Sequence, residues 1–118
     1  MVDENKNIIE SFGPELLRQN FIDPKNLEIV RQGMRWAVTG ENSPKASAVL
    51  LYSLPVAAAA KTGTAELGNG YYNLWVTVFA PYENPEIVLT IVIEKIKGLQ
   101  SATLPVAKEV LDWYFTRQ

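Results

Sequence analysis

The sequence contains no cysteine and no histidine. Their absence excludes disulfide bonds, thiol chemistry, Ser–His catalysis and most zinc sites. No metal and no cofactor is expected from the residues that remain. Long hydrophobic runs are also lacking. The longest, Leu54 to Ala60 and Ile87 to Ile93, fall far short of the about 20 residues that span a bilayer. Met1 to Lys6 is polar and unlike a signal peptide, so the polypeptide is expected to be soluble as written. Neither sign of charge dominates. The net charge is −2 and the sequence pI is about 5.1. No basic patch stands out, which argues against nucleic acid as a partner.

What is present is a globular balance: 47% apolar and 20% charged residues in a chain of 118. That length suits one compact domain, 1–118, and hardly two. Residues 1–22 carry the weakest pattern. Asn7 to Phe12 has the character of a short strand ended by Gly13-Pro14, and the stretch to Ile22 reads as a helical turn or an extended segment.

Asp23-Pro24 opens the first clear helix, since Asp caps free N–H groups and Pro suits the first helical position. Leu27, Val30, Met34 and Val38 recur at helical spacing with Ala37 beside them, and Gly40 is the stop. Gly33, inside this helix, costs about 1 kcal/mol relative to Ala, and close packing against another element is its expected reason. Ser43-Pro44 repeats the start signal and predicts a short helix to about Tyr52, ended before Pro55.

A strand is predicted next, followed by a turn at Gly68-Asn69-Gly70. Asn73 to Ala80 alternates, with Leu74, Val76 and Val78 on one face and Trp75, Thr77 and Phe79 on the other. Pro81 to Pro85 reads as a hairpin loop. Glu86 to Ile96 is rich in β-branched residues and nearly continuous in apolar character, so cover is expected on both of its faces. Ser101 or Thr103 is expected to cap a last helix, with Pro105 in its first turn and a buried stripe of Leu104, Ala107, Val110, Leu111 and Tyr114. The fold class predicted is α+β: an antiparallel β-sheet of about three strands with helices packed on one face. Trp36, Trp75 and Trp113 are expected as core or interface aromatics.

Chemistry concentrates in the first strand. Small residues from Val56 to Ala60 lead into Lys61-Thr62-Gly63-Thr64. A ligand can approach such a backbone closely, because no bulky side chain blocks it. An ammonium, two hydroxyls and free backbone N–H groups form a receptor for a carboxylate or a developing oxyanion. The plain alternative for the tetrapeptide is an ordinary edge strand with a turn. A P-loop is excluded, because no Gly-x-x-x-x-Gly-Lys-Ser/Thr occurs.

Four blocks in order carry a resemblance: Asn26-Leu27 through Gly33-Met34, Ala60 through Glu66, Asn73-Leu74-Trp75 through Pro81 with Asn84-Pro85-Glu86, and Val106-Ala107 through Trp113-Tyr114. From about Asp23 to Gln118 the chain resembles the C-terminal part of a class B penicillin-binding protein transpeptidase domain, of the elongation-specific type. The resemblance covers roughly the last third of such a domain's usual length. It implies a partial penicillin-binding transpeptidase fold. It also implies an enzyme that cross-links peptidoglycan through attack of a serine on a D-alanyl-D-alanine stem peptide, and that β-lactams trap. In that family the counterpart of Lys61 lends positive charge. The counterparts of Thr62 and Thr64, with Gly63 between them, bind the carboxylate of substrate or β-lactam. The backbone N–H at Thr64 is half of the oxyanion hole. The family works outside the cytoplasm, at the periplasmic face, anchored to the inner membrane.

The chain departs from the family's pattern at the nucleophile. Ser11, Ser43, Ser47, Ser53 and Ser101 lack a Lys three residues on and an Asn two residues on. The Ser-x-x-Lys and Ser-x-Asn elements are therefore missing. Tyr71-Tyr72-Asn73 and Tyr82-Glu83-Asn84 follow the Lys-Thr-Gly instead of preceding it, and fit hairpin and turn roles. The expectation is an excised, truncated or pared-down piece, inactive alone, whose partner is the remainder of the transpeptidase domain. Self-association through a sheet edge is expected as well. Two alternatives stand beside this reading. One is a non-catalytic binding or structural module that engages a peptide carboxylate; the other is an unrelated α+β domain.

Overall fold

In the computed structural model, residues 13, 15–19, 21–43, 45–98 and 101–117 are described. The strand expected at Asn7 to Phe12 lies outside them. Helix α1 runs Pro24–Thr39, with the Asp23 side chain accepting from Lys25 N–H and Pro24 in the first turn. Gly40 ends it at φ 76°, in the left-handed region where a Cβ is unfavourable, and donates its N–H to Trp36 O.

The chain then turns through Asn42, also left-handed at φ 59°. The helix expected from Ser43-Pro44 to about Tyr52 is much shorter: a 3-10 helix, Val49–Ser53. The cause is tertiary. Ala48 N–H donates to Ala37 O, back on α1, at 3.0 Å. That bond holds the segment before Val49 against α1 in place of a helical turn.

Strands β1 (Ala59–Gly68), β2 (Tyr71–Ala80) and β3 (Ile87–Lys97) form an antiparallel sheet in the order β1-β2-β3. Asn69 and Gly70, both at positive φ, make the tight turn between β1 and β2. Helix α2 (Thr103–Thr116) follows. The class is α+β, as predicted.

The pleat decides where the core sits. Ala60 faces Val78, which faces Leu89; Thr62 faces Val76, which faces Ile91; Thr64 faces Leu74, which faces Ile93. Leu74, Val76 and Val78 are buried, as their alternation requires. Val38 of α1, Ala48, Leu51 and Leu54, and Leu104, Ala107 and Leu111 of α2 pack with Ala60, Val76 and Val78 into one hydrophobic cluster.

Four expectations need correction. Only one row of β3 is partly covered (Ile87, Leu89, Ile91, Ile93), while Val88 is 67% exposed. Among the described residues, helices cover one face of the sheet, so an apolar run on both faces of β3 outstrips the cover available. The α2 stripe turns from Val110 toward Phe115, which packs on the core while Val110 stays exposed. Both sets fit a 3.6-residue period with Leu104, Ala107 and Leu111, and the side on which the sheet lies selects between them. Neither Ser101 nor Thr103 caps α2; Ala102 holds the cap position without a side-chain bond, and Thr103 is buried. Gly33 is not crowded: a Cβ there would meet nothing within 4 Å.

Candidate functional site

Strand β1 changes character along its length. Ala58, Ala59 and Ala60 are sealed in the interior, whereas from Lys61 onward the strand is half-buried or exposed. Small side chains let the buried end pass close to its neighbours. Arg35 Nη1 donates to Ala58 O at 2.7 Å, and Tyr82 N–H donates to Ala57 O at 2.7 Å. These bonds fix the strand immediately before the Lys-Thr-Gly-Thr sequence.

The row of side chains that faces the core as Ala58 and Ala60 continues as Thr62 and Thr64. Where helical cover ends, methyl groups give way to hydroxyls. Thr62 and Thr64 open on a groove of about 220 Å³. Ser47, from the loop after α1, and Ser101 and Thr103, from the start of α2, also border it, with Leu104 and Trp75 as its apolar wall. Thr62 Oγ1 donates to Ser47 Oγ at 2.9 Å.

Lys61 and Gly63 lie on the opposite face of β1 by strand alternation. The Lys61 ammonium folds back onto the Thr62 carbonyl and does not border the groove. The sequence reading joined one cation and two hydroxyls into a single receptor. The structure brings the two hydroxyls together and sets the cation on the other face. A methyl at Gly63 would rest at 3.4 Å from Trp75 Cβ, an ordinary contact. Trp75 itself is 45% exposed, and Trp113 is also exposed, so neither is a core residue.

Beyond the side chains, β1 pairs with β2 alone among the described residues. Successive amides of an edge strand point alternately to the partner and away from it. The outer edge therefore presents unpaired N–H and C=O groups to whatever approaches. Donors fixed on a rigid strand suit a charge that develops at a carbonyl oxygen, since they need no reorganisation during reaction.

Sequence reasoning missed Ser47, Ser101 and Thr103. No local signal marks them. Ser47 lies fifteen residues from its partner Thr62, and the other two read as caps.

Comparison with known proteins adds an independent line. Residues 2–112 match the family model described as the penicillin binding protein transpeptidase domain. The peptidoglycan D,D-transpeptidase MrdA of Haemophilus influenzae is 30% identical over 130 aligned residues, covering 94% of this chain and 19% of its own length. The structure of PBP2 from Pseudomonas aeruginosa superposes with a TM-score of 0.65 at 28% identity, covering 78% of this chain and 19% of that one. Penicillin-binding protein 2B of Streptococcus pneumoniae shares the fold at a TM-score of 0.77 over 99% of this chain and 20% of its own, at 19% identity. The chain thus spans about a fifth or less of the length of the curated relatives it matches.

Proposed function

The chain belongs to the penicillin-binding protein transpeptidase domain family, elongation type, and from that premise we propose that β1 is one wall of a peptidoglycan D,D-transpeptidase site. Thr62 and Thr64 receive the terminal carboxylate of a D-alanyl-D-alanine stem peptide, or that of a β-lactam. Gly63 keeps the backbone between them accessible to the ligand. The Thr64 N–H is one of two donors to the oxyanion of the tetrahedral intermediate. Lys61 supplies positive potential from the opposite face of the strand.

The observation that carries this reading is the emergence of two hydroxyls from a buried alanine row onto an open groove, on a strand whose outer edge is unpaired among the described residues. Acyl transfer also needs a nucleophile and a base. No serine of the chain stands in a Ser-x-x-Lys element, so the attacking group comes from another polypeptide segment. The remainder of a transpeptidase domain is the partner that completes the site, along the open edge of β1. Such a site operates outside the cytoplasm; among the described residues, no helix is long and apolar enough to cross a membrane.

Exposure to a labelled penicillin tests the division of labour. Intact-mass spectrometry is expected to show no covalent adduct on the chain alone. A stoichiometric adduct on any of its serines would overturn the assignment of the nucleophile to a separate segment.

A further inference from the structure

The backbone that leads into β1 is gripped by side chains that do not border the groove, and their placement carries a further inference, which rests on the carboxylate reading of the site. Arg35 of α1 donates from Nη1 to Ala58 O, and Tyr82, in the loop after β2, donates its N–H to Ala57 O, each at 2.7 Å. Two neighbouring carbonyls are thus held from two different elements. Tyr82 is itself fixed. Arg31 Nη2 donates to its carbonyl at 2.7 Å, and its ring stacks on Phe79 with centroids 6.0 Å apart. The guanidinium carbons of Arg31 and Arg35 lie 5.3 Å and 5.8 Å from the Tyr82 centroid, within cation–π range. Tyr82 therefore seats both arginines. Arg35 is half-buried, where a hydrogen bond from a charged donor is stronger than in open solvent.

Strand β1 has β2 as its single strand neighbour among the described residues, so no second strand sets its tilt. The stretch from Ala58 to Thr64 spans roughly 20 Å at the rise of an extended chain. A tilt of about 3° at the buried end then moves Thr64 by about 1 Å, a displacement of the size that costs a preorganised site its function. We propose that Arg35 is a positioning residue of this site. Through the Ala58 carbonyl, and seated on Tyr82, it sets where Thr62, Thr64 and the Thr64 N–H meet the ligand. It does so without touching the ligand, because Arg35 does not border the groove. Tyr82 contributes its ring face and its backbone to this grip; its hydroxyl has no part in it.

The test is the Kd of N-acetyl-D-alanyl-D-alanine for the 118-residue chain, measured by NMR together with the amide signals of Thr62, Gly63 and Thr64 before ligand is added. Arg35→Ala is expected to shift those three signals and to weaken binding by about tenfold, a coupling carried by the backbone. Leu111→Ala, which empties a core site in α2, loses at least as much stability. It should leave the three signals in place and bind within about twofold of the unaltered chain, at a temperature where both variants are folded. Arg35→Lys keeps a donor but not the guanidinium fork, and should weaken binding by about threefold. Tyr82→Phe keeps the ring and should bind within about twofold of the unaltered chain. Tyr82→Ala should weaken binding, and adding it to Arg35→Ala should cost little more, because the two residues act as one unit. If Arg35→Ala does not fold, Arg35→Lys carries the same comparison. If the Arg35 variants bind like the unaltered chain, or if Leu111→Ala weakens binding as much as they do, the proposal fails and the carboxylate reading stands. If the unaltered chain binds the acid and its C-terminal amide equally, or binds neither, the reading itself fails and the proposal with it.

Discussion

Helices α1 and α2 are similar in length and both carry an apolar stripe, yet they are held in different ways. Helix α2 buries Thr103, Leu104, Ala107 and Leu111, while α1 buries Val38 alone. The N-terminal part of the α1 stripe is open: Leu27 is 46% and Val30 59% exposed. What fixes α1 is polar. Arg35 reaches Ala58 O, and Arg31 Nη2 donates to Tyr82 O at 2.7 Å with its guanidinium over the rings of Phe79 and Tyr82. Apolar burial makes α2 part of the core. Directed hydrogen bonds make α1 a brace for the start of β1. The two modes divide the molecule into a half held by apolar packing and a half held by directed hydrogen bonds, and the groove lies where they meet.

Substitutions can break or sharpen this contrast. Leu111→Ala should cost about 2–5 kcal/mol, the range for emptying a packed leucine site. Chemical denaturation measures it. A loss below about 1 kcal/mol would mean that α2 is not part of the core. Arg35→Ala should cost about 1.5–3 kcal/mol, because a charged donor is removed from the carbonyl that precedes β1. Arg35→Lys should recover only part, since an ammonium does not reproduce the guanidinium fork. Gly33→Ala should stabilise the chain by about 1 kcal/mol, because nothing stands within 4 Å of the new methyl and alanine favours the helix. A destabilised Gly33→Ala variant would show that something packs there in solution. Leu27→Ala should lie within about 0.5 kcal/mol of the unaltered chain, despite a place in the stripe that matches that of a core residue.

These contrasts also show what the sequence can and cannot reveal. Asp23-Pro24 and Gly40 delimit α1 correctly because capping is chemistry within a few residues. The alternation from Leu74 to Val78 identifies the buried face of β2, and Gly68-Asn69-Gly70 its turn, for the same local reason. The element order and the α+β class follow from those signals. Cover was harder to read. The apolar run of β3 and the Leu27–Val30 stripe state a preference for burial, and nothing local says whether a neighbour satisfies it. The segment from Ser43 has a helix-start signal, but Ala48 bonds to Ala37 instead. At the site, Lys61 to Thr64 was legible as part of a strand. That the ammonium and the hydroxyls take opposite faces required the register, and the Ser47 contact required the fold.

The most direct test of the central claim is a backbone-amide NMR titration of the chain with N-acetyl-D-alanyl-D-alanine and, separately, its C-terminal amide. A carboxylate receptor on β1 predicts saturable shifts at Thr62, Gly63 and Thr64 for the acid, and none at the same concentrations for the amide. Equal shifts for both ligands, or acid-induced shifts confined to residues away from β1 and its groove, would contradict it.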